Sequence, residues 1–414
     1  MTTYARRLGL FSGTMAVVGG IIGGGIFRTP ATVAERLRAP GLVLLAWVTG
    51  GVVALIGAAC FGELGRRRPR AGGGYVYLRE SWGPLPAFLY GWTLVLVIAT
   101  GAIAAVAVTF ADYALALFGL SQRFSVPLAV AAIVLLAGIN YTGVRPAAFT
   151  TNIFTVLKLA ALATLIAAGL FIAAPPVPLV TVHPSAISGL GAALVPILFT
   201  YGGWQQTNFI AEEIIEPERN LPRALVLGVA IVITVYLLAN YVYLHVLGVE
   251  QLGRSTAPAA DTMRVLLGPI GEKIIAGGIA LSTFGFLNLV ILVTPRVLQA
   301  MAADGVFFRR FATLDPTYQT PTGAIVALAA FAVILTVTGT FGQLVDYVTF
   351  GDWIFFGLTV AGLLLDKFRL GPAIFVVAAA YVVISVIISN PVYAARGALL
   401  IALGVPAYLY WRTR

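Results

Sequence analysis

Apolar residues run along this chain in long stretches, separated by short breaks rich in arginine, proline and glycine. A membrane-spanning helix needs about 20 mostly apolar residues. Twelve stretches meet that length, at roughly 9–36, 41–65, 84–113, 125–143, 147–174, 187–213, 222–247, 269–301, 322–339, 343–365, 371–389 and 393–411. The pattern predicts an all-α integral membrane protein of 12 transmembrane helices, with no soluble domain between them. Arg6 and Arg7 ahead of the first stretch suggest a signal peptide, but the apolar run from Leu8 to Phe27 is too long and lacks a small-residue cleavage site. It reads as a retained first membrane helix.

Two of the twelve carry breakers at their centres. The first reads LFSGTMAVVGGIIGGGIFRTP, with Gly23, Gly24 and Gly25 roughly 14 residues in, near mid-bilayer at a rise of 1.5 Å per residue. The sixth reads GLGAALVPILFTYGGWQQTNFIAEE, with Tyr201-Gly202-Gly203-Trp204 again central. Each glycine weakens a helix interior by about 1 kcal/mol relative to alanine. In lipid the freed backbone groups must find partners inside the protein or on a ligand. Close helix packing through small residues is one use of such glycines. A dinucleotide loop is not, because it must follow a strand. The two interruptions lie five segments apart, and an odd repeat inverts its second copy. Paired broken helices at matching positions of two halves point to a secondary transporter's site. The chain is expected to be one transmembrane domain over 1–414, with halves at 1–175 and 185–366 and two more helices in 367–414.

Composition agrees. Of 414 residues, 60% are hydrophobic and 10% charged, against about 25% charged in soluble domains. The formal charge is +10, but the basic residues sit in loops between apolar runs, which suits membrane topology rather than nucleic acid. Assigned alternately from an inside N-terminus, 17 basic residues fall inside and 7 outside. Positive charge favours the cytoplasmic side, so both termini are expected there, in the cytoplasmic membrane. The largest inside loop, between Gly65 and Gly83, reads as a basic loop touching anionic lipid. The single cysteine, Cys60, and two distant histidines, His183 and His245, exclude an intramolecular disulfide and make a His/Cys metal site improbable. No cofactor is expected.

The broken helices suit a zwitterion. Free N–H groups where a half-helix begins favour a carboxylate, and free C=O groups where one ends favour an ammonium. Lys158 lies deep in the fifth segment, where a charged lysine costs about 2.5–3.5 kcal/mol on insertion scales. It either snorkels or serves the site, and desolvation would let it release a proton near neutral pH. Asp352, in TFGDWIFFG of the tenth segment, could bind a cationic substrate, titrate, or hydrogen-bond structurally. Trp353 beside it either lines the site or packs. Glu212, Glu213, Glu216 and Glu218, next to Arg219 and Arg223, read as a cytoplasmic salt-bridge cluster that helps close an inner gate. Glu63, Asp112, His245 and Asp346 fall near helix ends and read as structural. Asn208, Ser282, Thr283 and Asn288 read as interhelical hydrogen-bonding groups, with Ser282 and Thr283 plausible neighbours of Lys158.

The stretch FTYGGWQQTNFIAEEIIEPERNLPRA, with GGIIGGGIF, VYLLANYVY and STFGFLNLVILVTPRVLQAMAADG, resembles the amino acid–polyamine–organocation superfamily, in its L-type amino acid transporter branch with bacterial relatives. The resemblance implies the five-plus-five inverted-repeat fold first described for a leucine transporter. It implies that backbone around Ile22, Gly23, Gly24, Gly25 and Ile26 binds a substrate carboxylate. Backbone around Phe199, Thr200, Tyr201 and Gly202 would bind the ammonium, with Phe199 as an aromatic gate. Tyr236 falls on a tyrosine implicated in transport, and Lys158 on a lysine that replaces sodium in sodium-independent members. The branch usually has serine where Gly24 stands, so here backbone amides would carry the carboxylate. Animal members join a glycoprotein through a disulfide. No cysteine lies in an outside loop here, so no disulfide-linked subunit is expected, only a monomer or weak homo-oligomer. The short termini suggest a bacterial or archaeal source.

These readings converge on transport of small neutral L-amino acids by alternating access, sodium-independent, by exchange or proton coupling. A cationic amino acid or polyamine carrier is the alternative that Asp352 keeps open. A membrane-embedded enzyme lacks the clustered catalytic groups it needs, and a channel suits the broken helices less well.

Overall fold

The computed structural model describes residues 4–172, 189–339, 341–389 and 391–412. His183 lies outside the described residues, as does the side chain of Asp346. The described chain is helical: α1 Leu10–Ile21, α2 Thr29–Leu37, α3 Pro40–Arg67, α4 Gly74–Trp82, α5 Pro84–Leu117, α6 Ser125–Tyr141, α7 Val144–Phe171, α8 Leu190–Thr200, α9 Pro217–Arg254, α10 Pro258–Ala303, α11 Thr322–Thr338, α12 Phe341–Ala361, α13 Leu370–Ser389, α14 Pro391–Ala402 and α15 Gly404–Arg412. Among the described residues, eight helical spans are long and apolar enough to cross a membrane, and Leu10–Ile21, Thr322–Thr338 and Gly351–Leu364 are shorter apolar helices. Large apolar side chains such as Phe149, Phe171, Val326 and Val377 face outward from the bundle. Water would penalise that surface and a bilayer does not. The chain is a multi-pass membrane protein.

Each interrupted stretch divides where its glycines stand. α1 stops at Ile21, a short 3₁₀ turn covers Gly25–Phe27, and α2 follows. α8 stops at Thr200, and the chain resumes as a ten-residue 3₁₀ stretch, Trp204–Glu213, instead of an α-helix. Between the halves Gly203 takes φ +112°, and a Cβ there would stand 2.1 Å from the Gly20 carbonyl oxygen. The two breaks touch backbone to backbone, a contact only glycine permits. Elsewhere α9 and α10 continue across kinks at Gly248 and Gly268, and α5 carries a π-helical turn at Leu94–Ala99.

The expected basic loop 65–83 contains α4, a helix too short and too polar to register as a span. Its Tyr77 hydroxyl donates to Asn208 Oδ1 at 3.0 Å, and Tyr75 donates to Asp304 Oδ2 at 2.8 Å, with Arg79 paired to the same carboxylate. Burial, with Asp304 alongside, pushes the Tyr75 hydroxyl's pKa up and keeps it a donor. At the same end of the bundle the segment before α1 pairs with the end of the 3₁₀ stretch. Arg7 and Leu8 N–H groups donate to the Glu213 carbonyl at 2.9 and 3.0 Å, and Ile215 N–H donates to the Leu8 carbonyl at 2.8 Å.

The glutamates closing this region do not form the expected cluster with Arg219 and Arg223. Glu213 is fully buried and accepts from Arg296 of α10, Nε at 2.8 Å and Nη2 at 3.3 Å, with the Tyr4 ring 5.8 Å from that guanidinium. Glu212 accepts from the Ala71 N–H at 3.3 Å, and among the described residues only the exposed Glu216 meets Arg219, at 4.0 Å. The reason is placement: Glu213 ends the 3₁₀ stretch facing the bundle, while Arg219 lies outside. Removing one member of a buried pair strands the other and costs about 3–5 kcal/mol. Arg296→Met should therefore lower the thermal unfolding midpoint in detergent sharply. Arg296→Met with Glu213→Leu should recover most of the loss. Equal midpoints for the single and double variants would show that the pair does not hold this end.

Candidate substrate site

A cavity of about 460 Å³ opens between the two breaks. Its walls include Gly23, Gly24, Gly25, Phe199, Thr200 and Gly202 from the interrupted stretches. α5 adds Ile98, Thr109 and Tyr113, α10 adds Phe286, and α12 adds Asp352, Trp353 and Phe356. Ile22, Ile26 and Tyr201 are buried away from it. Tyr201 instead packs edge-on and tilted within an aromatic cluster, its ring centroid 5.6 Å from Trp47 and 5.2 Å from Tyr236. Trp47 sits in an unbroken apolar run, and nothing in the sequence distinguished it.

The backbone at the first break separates into used and free groups. The carbonyls that α1 leaves without helical partners are claimed from three other helices. Tyr236 of α9 donates its hydroxyl to Ile21 O at 3.2 Å. Lys158 of α7 donates Nζ to Ile22 O at 2.7 Å and Gly19 O at 3.2 Å. Ser282 of α10 donates to Ile22 O and Gly23 O, each at 3.2 Å. Tyr236 also reaches Thr200 O at 3.5 Å, which ties α9 to both breaks. Thr283, one residue from Ser282, turns back on its own helix and bonds Ile279 O and Ala280 O. Lys158 is fully buried and lies behind the break rather than on the cavity wall.

The amides of Gly24, Gly25 and Ile26 donate to no acceptor among the described residues. They open α2's half of the stretch and suit an anion. Across the cavity the carbonyl of Gly202 accepts from no donor among the described residues, nor does that of buried Tyr201, and Gly203 N–H is held by Gln205 Oε1 at 2.9 Å. They end α8 and suit a cation. The three glycines differ in what surrounds them. A Cβ on Gly25 would press within 2.8 Å of Thr200, whose hydroxyl contacts Thr29 Oγ1 at 2.7 Å, whereas a Cβ on Gly24 would meet nothing within 4 Å. Gly25 therefore permits close packing of the halves, and Gly24 leaves space open.

Comparison with known proteins decides the family. The family model described as amino acid permease matches residues 8–398. The chain belongs to the amino acid permease family. Within the amino acid–polyamine–organocation superfamily it aligns with the L-type branch. It is 34% identical to the human b(0,+)-type amino acid transporter 1 over 376 residues, covering 89% of this chain and 77% of that protein. It is 32% identical to the mouse large neutral amino acids transporter small subunit 2 over 435 residues, covering 98% of this chain and 81% of that protein. This permease is an amino acid transporter, not an enzyme.

Three substitutions test the site. Gly24→Leu should fill the cavity beside the free amides and abolish stabilisation by added amino acid, while the protein still inserts. Gly24→Ser should keep it. Lys158→Met should remove the donor nearest Ile22 O and cost about 1–3 kcal/mol, read as a lower unfolding midpoint. Amino acid stabilisation that survives Gly24→Leu would place the site elsewhere.

Proposed function

We propose that this permease moves neutral L-amino acids across the cytoplasmic membrane by alternating access, without sodium, by exchange or proton coupling. The observation that carries the reading is the pairing of free amides at Gly24 and Gly25 with the free carbonyl of Gly202 across one cavity. An α-amino acid presents a carboxylate and an ammonium to those two ends. The rest of the wall, with Ile98, Phe199, Phe286, Trp353 and Phe356, is largely apolar, and the volume leaves room for side chains larger than alanine's. Phe199 is the proposed gate, 44% exposed and on the wall.

The reading takes the chain as 12 transmembrane helices with inverted halves at 1–175 and 185–366, both termini cytoplasmic. The end closed by Tyr4, Glu213 and Arg296 is then the inner end. Arg28, Thr109 and Tyr113 also line the cavity. Lys158 stands in for sodium, because its ammonium already donates to the carbonyls of Gly19 and Ile22. The names of the relatives support amino acids as the cargo. Purified permease in proteoliposomes should take up labelled alanine equally in sodium and in choline buffer, and faster with unlabelled amino acid trapped inside or with an inward proton gradient. A strict sodium requirement would overturn the role given to Lys158.

A further inference from the structure

Most arginines of the 65–83 segment spend their charge within the protein. Arg66 and Arg67 meet Glu63, Arg67 also meets Asp366, Arg68 meets Glu80 and Arg79 meets Asp304. Little of that loop is left for the lipid contact its sequence suggests. Another set of arginines is free. Arg309, Arg310 and Arg412 are exposed, and their side chains find neither an ion pair nor a hydrogen bond among the described residues.

These three are distant in sequence and meet at one place. Arg309 and Arg310 open the 3₁₀ turn Arg309–Phe311, in the loop between α10 and α11. Arg412 is the last residue of α15. Aromatic rings join the two elements. Trp411 lies 4.6 Å from Phe308 and 5.7 Å from Phe307 between ring centroids, and Phe308 lies 6.2 Å from Phe311. The Arg310 guanidinium stands 5.6 Å from the Phe311 ring centroid. Trp411 precedes Arg412 and Phe308 precedes Arg309, so the contact between their rings gathers all three arginines around one aromatic patch.

The patch lies where hydrocarbon gives way to headgroups. Arg412 closes the apolar span Ala394–Arg412, and the loop joins the span that ends at Ala303 to the apolar helix Thr322–Thr338. Phe308 is 53% and Tyr410 50% exposed, and aromatic rings favour this layer of a bilayer. The loop's own carboxylates are already engaged. Asp304 holds Arg79 and Tyr75, and Asp315 accepts from the amides of Thr317 and Tyr318. Three like charges thus stand together without a counter-ion from the chain. A guanidinium fork matches the oxygens of a phosphate. A free phosphate would gain nothing from the exposed rings, whereas a lipid's acyl chains would.

We propose that Arg309, Arg310 and Arg412 form a binding site for the phosphate of an anionic phospholipid, with Phe308 and Tyr410 beside its acyl chains. The bound lipid joins α15 to the loop that leaves α10, the helix that carries Ser282 and Arg296.

The test titrates the whole protein in neutral detergent with phosphatidylglycerol or phosphatidylcholine and follows the unfolding midpoint. Phosphatidylglycerol should raise the midpoint well above phosphatidylcholine, and added salt should shrink the difference. In Arg309→Gln with Arg310→Gln and Arg412→Gln, the phosphatidylglycerol needed for half the rise should increase roughly tenfold or more, because each arginine at a headgroup layer strengthens anionic lipid binding several-fold. Arg70→Gln with Arg145→Gln and Arg223→Gln removes the same charge from exposed arginines outside the patch. That variant should stay near the native value. Equal losses in the two triple variants would overturn the site, since net charge alone would then explain the effect. So would a native chain that answers both lipids alike, and this arm decides even where a variant fails to fold. A rise reproduced by inorganic phosphate alone would show an anion site without a lipid and would also overturn the proposal.

Discussion

The constraint on which this structure depends is that four carbonyls, at Gly19, Ile21, Ile22 and Gly23, cannot be left bare in a medium without water. An intact α1 would have satisfied them from within. Ending it inside the bundle hands most of the task to α7, α9 and α10, which answer with Lys158, Tyr236 and Ser282, while Gly23 N–H also reaches Ile21 O at 2.9 Å. Each donor is buried, so each bond is strong and costly to lose. Because the donors come from three different helices, the break is also the point where those helices are joined. Of the free amides that remain, those of Gly24 and Gly25 belong to residues on the cavity wall. The same interruption thus has one set of backbone groups satisfied by neighbouring helices and another left free.

A second polar assembly holds the scaffold behind the site. Asn140 of α6 donates to Asn288 of α10 at 2.9 Å, and Asn288 donates to Thr151 at 2.8 Å and to the Ala147 carbonyl at 2.9 Å on α7. Three helices that supply neither break are linked through two amides. In an apolar bundle such bonds specify register, since packing alone leaves neighbouring helices free to slide. Lys158 is on the same α7, one face carrying the scaffold contact and, farther along, the contact to the broken helix.

The breaks were legible because glycine clusters in a membrane segment have few other uses, and Lys158 because a charge at that depth needs a reason. Their partners were legible only through one another. Ser282 and Thr283 look alike in sequence, yet only the first reaches Ile22 O, since one residue turns a side chain by about 100° around a helix. The pair Glu213–Arg296 joins positions 83 apart, and nothing local separated Glu213 from its three neighbouring glutamates. α4 escaped a hydropathy reading because it lies outside the apolar spans. Trp47 was hidden for the opposite reason, as an aromatic residue within a run where any apolar side chain would do. The unpaired state of Arg309, Arg310 and Arg412 is not a property of sequence at all, since it consists of contacts that are not made.

The stretch after the second break is wound as a 3₁₀ helix over ten residues, Trp204–Glu213. That winding rises about 2.0 Å per residue where an α-helix rises 1.5 Å. The same ten residues rewound as α-helix would be shorter by about 5 Å. Its hydrogen bonds are also the poorer kind, and its chain already departs from helical angles at Ile210. One end of this segment abuts the cavity at Gly203 and the other holds Glu213 and the strand-like pairing with Leu8. It therefore spans from the cavity to the buried Glu213–Arg296 pair, and the distance it covers is set by its pitch.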